Sequence, residues 1–348
     1  MNQLAIVGAG VSGLATAWAL RDAPLDITVF EKSRGYSGRA ATRRRDGLCY
    51  DHGANYFKLH SEEVERIVRH ELPSEQLAPI DRDVWTFDAA GTLQEGDAAS
   101  NAHGKWTYRR GINTIGKLLA ADASADVQRQ TRVQHLEQQA EGGWVVYATE
   151  GAALGTFDGV VLTPPAPQTR QLIHDSTLDD EVRLALLDGL QPASYASQFT
   201  IVLGYPRTIE RPGDFYALLN ADRDHPIAWL SFEEDKPGHV PDGQSVLILQ
   251  MAPDWTEAYY EAFHDALVER AVRLAGDLLR TECTHPAWTD HQRWRYALPT
   301  AAADRERLQD AEAVHLFVTG DALIGKGRVN RALEAGLRCA ERIQAAMG

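Results

Sequence analysis

The chain opens on a short apolar run, Leu4-Ala5-Ile6-Val7, that breaks at once into Gly8-Ala9-Gly10-Val11-Ser12-Gly13. An apolar run of that length, ended by glycine, predicts a buried strand, and residues 14–21 continue with helix-forming sequence. Ile27-Thr28-Val29-Phe30 predicts a second strand, closed by Glu31. Strand-like segments recur at 127–133, 159–163 and 314–318, and an amphipathic helix runs from Val329 to the C-terminal end. In the middle of the chain 198–203, 227–232 and 245–250 read as sheet strands, while 254–279 reads as helix with Trp255, Tyr259 and Phe263 interspersed. Pro164, Pro165 and Pro167 mark a crossing between domains. No internal repeat or low-complexity segment interrupts the pattern.

The strand, glycine turn, helix, strand and acid fall in the order a dinucleotide site requires. Gly8 permits the tight turn, Gly10 lets a pyrophosphate approach the backbone, and Gly13 with Ala17 allows close packing of helix on strand. Ala9, Val11 and Ser12 complete the loop, whose helix N-terminus faces the phosphates. Glu31 lies 18 residues after Gly13, close to the offset of an acid that binds the adenosine ribose. The motif leaves NAD and FAD equally open. Gly35 and Gly38 around Arg39 suggest backbone held close to an anion, and Tyr50-Asp51-His52-Gly53-Ala54-Asn55-Tyr56-Phe57 is suited to lining a flat ring. Thr319-Gly320-Asp321 and the amides near Arg328-Val329-Asn330 form a second strand-loop-helix unit, able in a flavin site to bind a ribityl hydroxyl and to stabilise charge on the reduced ring.

Composition narrows the partners. The 348 residues carry 35 basic and 49 acidic side chains, a net charge of −14 that repels nucleic acid and anionic lipid and favours a small-molecule partner. No apolar run reaches the length of a membrane span and no basic leader precedes the first strand, so a cytoplasmic location is expected. Cys49, Cys283 and Cys339 are isolated, and the 12 histidines show no ligand spacing, so neither disulfide nor metal is expected. No GxSxG elbow supports a hydrolase.

The runs Lys32-Ser33-Arg34-Gly35, Ser37-Gly38-Arg39 and Asp51-His52-Gly53-Ala54-Asn55-Tyr56-Phe57 resemble renalase-type flavoproteins, whose patterns are close to K-x-R-G-x-G-G-R and D-x-G-A-Q-Y-F, within the wider FAD amine-oxidase group. Tyr108-Arg109-Arg110-Gly111-Ile112-Asn113, Val161 to Gln168, Arg293-Trp294-Arg295-Tyr296-Ala297 and Gly320-Asp321 extend the resemblance. It implies an α/β fold: a two-dinucleotide-binding, Rossmann-like FAD domain (1–71, 106–169 and 285–348) and an inserted α+β substrate domain (72–105 and 170–284) on a mixed or antiparallel sheet. Lys32, Gly38, Arg39, Ala40, Asn55, Tyr56, Phe57, Val133, Thr163, Gly320, Asp321, Arg328 and Val329 are expected to join the glycine turn and Glu31 around the cofactor. Trp294, Gln292, His291 and Asn55 are the expected catalytic residues. The family pattern has His directly before Arg-Trp, a place Gln292 takes here.

The resemblance further implies oxidation of 2- or 6-dihydro isomers of NAD(P)H by FAD, with oxygen reduced to peroxide, in a monomer or homodimer. Amine substrates commonly face a lysine near the flavin in the wider group. Only Lys236 and Lys326 occur in the second half of the chain, neither in a matching context. An amine or polyamine oxidase and a flavin-binding redox protein without turnover are the alternatives. Arg39, Arg43, Arg293 and Arg328 are the candidates for meeting an anionic substrate.

Overall fold

The computed structural model describes residues 2–348. Two compact units divide the chain: the first runs to Ala40 and adds Asn113–Tyr195 and Leu298–Gly348, and the second comprises Ala41–Ile112 and Ala196–Ala297. The expected domain bounds assign four stretches to the other unit: 41–71, 106–112, 170–195 and 285–297. The hairpin Thr42–Arg45/Leu48–Asp51 belongs to the second unit, where the Cys49 amide donates to the His239 carbonyl at 2.9 Å. Helices Ala166–Asp175 and Asp180–Leu190 belong to the first, because Leu172, Ile173, Leu186 and Leu190 enter its core.

In the first unit five parallel strands stand in the order Asp126–Arg129, Leu25–Glu31, Asn2–Val7, Gly159–Leu162, Leu316–Val318. Leu4, Ile6, Val161 and Phe317 are completely buried, as expected where helices cover both faces of a parallel sheet. Gly8, at φ +110°, ends the Asn2–Val7 strand; a Cβ there would meet Thr163 Oγ1 at 2.3 Å. Gly13 sits in the first turn of helix Val11–Ala19, where a Cβ would lie 2.2 Å from the Gly8 carbonyl oxygen. The C-terminal helix Val329–Met347 crosses the same helix closely enough for Thr16 Oγ1 to donate to the Gly336 carbonyl at 3.1 Å. The segment expected as one strand at 127–133 is two: Gln130 turns into the left-handed region, and Val133–Gln138 starts an antiparallel meander with Trp144–Ala148 and Ala153–Phe157.

The second unit is built on a mixed seven-stranded sheet in the order Trp288–Ala301, Ser194–Tyr205, Ser245–Met251, Ile227–Phe232, Phe215–Asn220, Asp83–Phe87, Leu93–Gln94, two of whose strands extend past the unit's bounds. Strand alternation divides its side chains: Leu247, Leu249, Met251, Leu230 and Phe232 pack with Leu267, Ala271, Ala275 and Leu278 of helix His264–Leu279, whereas Val202, Val246 and Ile248 pack on Leu48 and Tyr50. The helix expected over 254–279 is interrupted. Pro253–Ala258 and His264–Leu279 are separate helices, and Phe263 is extended at the second start with its ring 87% exposed.

Gly13→Ala forces a methyl against backbone that has no room to move. The substitution is expected to lower stability by about 1–3 kcal/mol; an unfolding midpoint equal to that of the wild type would contradict the packing described.

Candidate active site

The first unit assembles the dinucleotide elements. Glu31, at the end of its strand, accepts from the Ala9 amide through Oε2 at 2.9 Å and from the Ser33 amide through Oε1 at 2.8 Å. Two backbone donors thus hold the carboxylate at the mouth of the glycine turn, and each oxygen keeps an acceptor position. The Ser37 amide donates to the Ala9 carbonyl at 2.8 Å, which brings Gly38 against Gly10. Thr163 Oγ1 donates to the Val7 carbonyl at 2.8 Å. Opposite them Gly320, at φ +111°, presents Asp321, which a bidentate Arg39 grips at 2.8 and 2.9 Å while Tyr195 Oη donates to the same carboxylate at 3.0 Å. Arg328 is exposed at the start of helix Val329–Met347, whose first turn has no side-chain cap.

Not every expected cofactor residue sits in that assembly. Val133 packs in the core of the first unit, and Ala40 is 4% exposed. Lys32 is exposed and reaches the Gln168 amide oxygen at 3.3 Å. Asn55, Tyr56 and Phe57 belong to the second unit. There Asn55 Oδ1 accepts from Ser231 Oγ at 3.2 Å, Tyr56 joins Tyr216 and Trp229 in a cluster with ring centroids 6.0–6.4 Å apart, and Phe57 packs on Tyr108 at 5.7 Å.

In the second unit alternation along strand Trp288–Ala301 separates the expected catalytic residues. Asp290, Gln292 and Trp294 face the hairpin. Arg43 pairs with Asp290 at 2.6 Å and donates to Gln292 Oε1 at 2.7 Å, and Tyr50 Oη donates to Asp290 at 2.6 Å. Trp294 stacks on His52 with centroids 5.4 Å apart and planes at 14°, and its Nε1 donates to the His52 carbonyl at 3.0 Å. His291 turns to the opposite side, where its Nδ1 lies 2.8 Å from His264 Nδ1 and its ring is 6.3 Å from Phe199. The structure therefore groups Gln292 with Trp294 and sets His291 apart. Burial, reinforced by the Arg43 charge, pushes His52 down to about 4, so the imidazole under Trp294 is neutral at physiological pH. Burial and the bond to Asp290 push the Tyr50 phenol up.

Sequence reasoning missed His52 as a partner of Trp294, Tyr195 as a partner of Asp321, and the group behind Asp51. Asp51, Glu233, Lys236 and His239 have completely buried side chains. Lys236 Nζ lies 2.9 Å from Asp51 Oδ2 and 2.7 Å from Glu233 Oε1; His239 bonds Glu233 through Nδ1 and the Tyr108 carbonyl through Nε2, both at 2.9 Å. With both ring nitrogens facing acceptors His239 is an imidazolium: burial opposes the charge, but the carboxylates raise its pKa to about 10. Burial likewise opposes the Asp51 charge, and Lys236 and His239 hold its carboxyl below the ordinary value. Two anions and two cations cancel. The ligand atoms of Asp51, Glu233 and His239 lie within 4.8 Å of one another, as a metal site would require, but the Lys236 ammonium is the cation they hold. The spacing Glu233-x-x-Lys236-x-x-His239 is visible in the sequence and was the available signal.

Comparison with known proteins agrees with this geometry. The flavin-containing amine oxidoreductase profile matches residues 86–344 and an NAD(P)-binding Rossmann-like profile matches residues 6–70. The chain belongs to the flavin-containing amine oxidoreductase family. Among curated relatives, protoporphyrinogen oxidase 2 of Arabidopsis thaliana is 45% identical over 63 residues, 18% of this chain and 12% of that protein. The bifunctional protein MnmC of tRNA 5-methylaminomethyl-2-thiouridine biosynthesis in Magnetococcus marinus is 28% identical over 243 residues, 59% of this chain and 35% of that protein. The chain thus matches only a minor part of the length of either relative. A solved putrescine oxidase bound to putrescine superposes with a TM-score of 0.76 at 15% identity over 99% of both chains, which establishes the shared fold.

FAD is the cofactor, and the first unit fits it. A Cβ on Gly10 would meet nothing within 4 Å, which leaves room for a pyrophosphate at the uncapped start of helix Val11–Ala19, and Glu31 lies beside this turn, bonded to the Ala9 amide. Among the described residues no helix is long and apolar enough to cross a membrane.

Glu31→Gln replaces one acceptor oxygen with an amide that opposes either the Ala9 or the Ser33 N–H. FAD affinity is expected to fall by about one to two orders of magnitude, from a loss of about 1.5–3 kcal/mol; equilibrium dialysis that finds no change would displace the nucleotide from this turn. His239 provides a pH test. Its folded pKa lies above the unfolded value of about 6.5, so its stabilisation is fully present below that value and is lost as pH rises through about 10. Urea unfolding should show the gap between wild type and His239→Gln narrowing across that window, whereas a pH-independent gap would mean a neutral ring.

Proposed function

We propose that the protein is a renalase-type oxidase that takes a hydride from 2- or 6-dihydro isomers of NAD(P)H and yields NAD(P)+, with oxygen reduced to hydrogen peroxide. The observation that carries this reading is that, among the described residues, each lysine of the second unit is engaged by a partner. Lys236 is locked between two carboxylates, Lys105 lies 3.7 Å from Asp83 with its side chain 3% exposed, and Lys58 donates to the Ser100 carbonyl at 2.7 Å. An amine arrives as a cation and must shed a proton before it can give up a hydride. A dihydropyridine loses hydride directly to become an aromatic pyridinium, so no base is called for.

FAD, when bound, supplies the two-electron acceptor and passes the pair on to oxygen. The residues of this chain bind and orient. Trp294, backed by neutral His52, offers a flat surface for a nicotinamide ring. Gln292, fixed by Arg43, offers an uncharged hydrogen-bonding group beside it. Of the arginines expected to meet an anionic donor, Arg39 and Arg43 are paired with Asp321 and Asp290, and Arg293 lies 3.8 Å from Glu261. Arg328, exposed, then becomes the first candidate.

An amine substrate is the second reading, supported by the fold shared with the putrescine-bound oxidase. Anaerobic mixing decides between them. The oxidised flavin band is expected to bleach fastest with a 2- or 6-dihydro isomer, ahead of ordinary NADH and of a panel of mono- and diamines. Faster bleaching by any amine would replace the proposal, and no bleaching by any donor would leave a flavoprotein without turnover.

A further inference from the structure

We infer that Tyr195 is a positioning residue of the cofactor site, one that selects which oxygen of Asp321 meets FAD. This goes beyond the proposed reaction and does not depend on the substrate. Asp321 offers about four acceptor positions, two on each oxygen. The Arg39 guanidinium takes one on Oδ2, at 2.8 Å, and one on Oδ1, at 2.9 Å. Tyr195 Oη takes the second position on Oδ1, at 3.0 Å. Oδ2 is the oxygen left to accept from a cofactor hydroxyl.

Burial and the neighbouring Asp321 carboxylate raise the pKa of the phenol and keep its proton on. The Arg39 guanidinium also lies 5.7 Å from the Tyr195 ring centroid. Asp321 therefore sits between directed donors, the Tyr195 hydroxyl on one side and the Arg39 guanidinium on the other. The carboxylate cannot swing without breaking the bond to Tyr195. Gly320, in the left-handed region, sets the backbone so that the 8%-exposed Asp321 points into this arrangement. A tyrosine whose only task was to fill core would not need its hydroxyl on this carboxylate.

The test reads cofactor binding instead of turnover. FAD is titrated against apoprotein by flavin fluorescence quenching for the wild type, Tyr195→Phe, Asp321→Ala and the double variant, with the thermal midpoint of each apoprotein recorded. Tyr195→Phe is expected to raise the Kd for FAD about 2- to 10-fold, the worth of one hydrogen bond, and to add nothing in the Asp321→Ala background. A fluorotyrosine at 195, which keeps the hydroxyl, is expected to restore wild-type affinity. Asp321→Ser serves as the background should Asp321→Ala fail to fold. An unchanged Kd in Tyr195→Phe, an equal loss with and without Asp321, or no recovery with fluorotyrosine would each overturn the inference.

Discussion

Four ionisable side chains, Asp51, Glu233, Lys236 and His239, share a volume from which water is excluded. Each of them, alone, would cost several kcal/mol to bury in charged form. Together they are neutral, and that neutrality holds only at the observed geometry, because each cation must touch a carboxylate. The consequence spreads along three segments. Asp51 ends the hairpin strand, accepts from the Ile112 amide at 2.9 Å and donates its own amide to Glu233 at 3.0 Å. His239 closes on the Tyr108 carbonyl and offers its own carbonyl to Cys49. The residues that follow Asp51, from His52 to Asn55, inherit their position from this arrangement, as does the stack of His52 on Trp294.

The same quartet decides what Lys236 can do. A lysine in the second half of a flavin-dependent amine oxidase sequence invites a catalytic role, yet this ammonium, completely buried, has its charge satisfied twice and its pKa raised further by the anions around it. Its contribution is to the shape of the site. Near it the second unit groups an indole, a neutral imidazole and an amide fixed by Arg43.

The first unit uses carboxylates in two ways. Glu31 is held by backbone amides and stays with the local turn, whereas Asp321 is held by side chains remote in sequence, Arg39 and Tyr195. In a chain of net charge −14, Arg39 and Arg43 are each paired with an acid, Asp321 and Asp290.

The sequence alone determined the elements whose cause is local. The first strand, the glycine turn, the helix after it and Glu31 were all legible, since an apolar run, missing Cβ atoms and the length of a βα unit are properties of neighbouring residues. So were the mixed α/β class and the strands near 198–203, 227–232 and 245–250. The tertiary structure alone decided which side chains meet: Lys236 finds Asp51 across 185 residues and Arg39 finds Asp321 across 282. It also placed His291 and Gln292 on opposite sides of one strand, which their adjacent positions did not reveal without the strand's register. Periodicity says how a segment folds, but ion pairing in a dry interior depends on distance in space, and spacing along the chain carries no record of that distance.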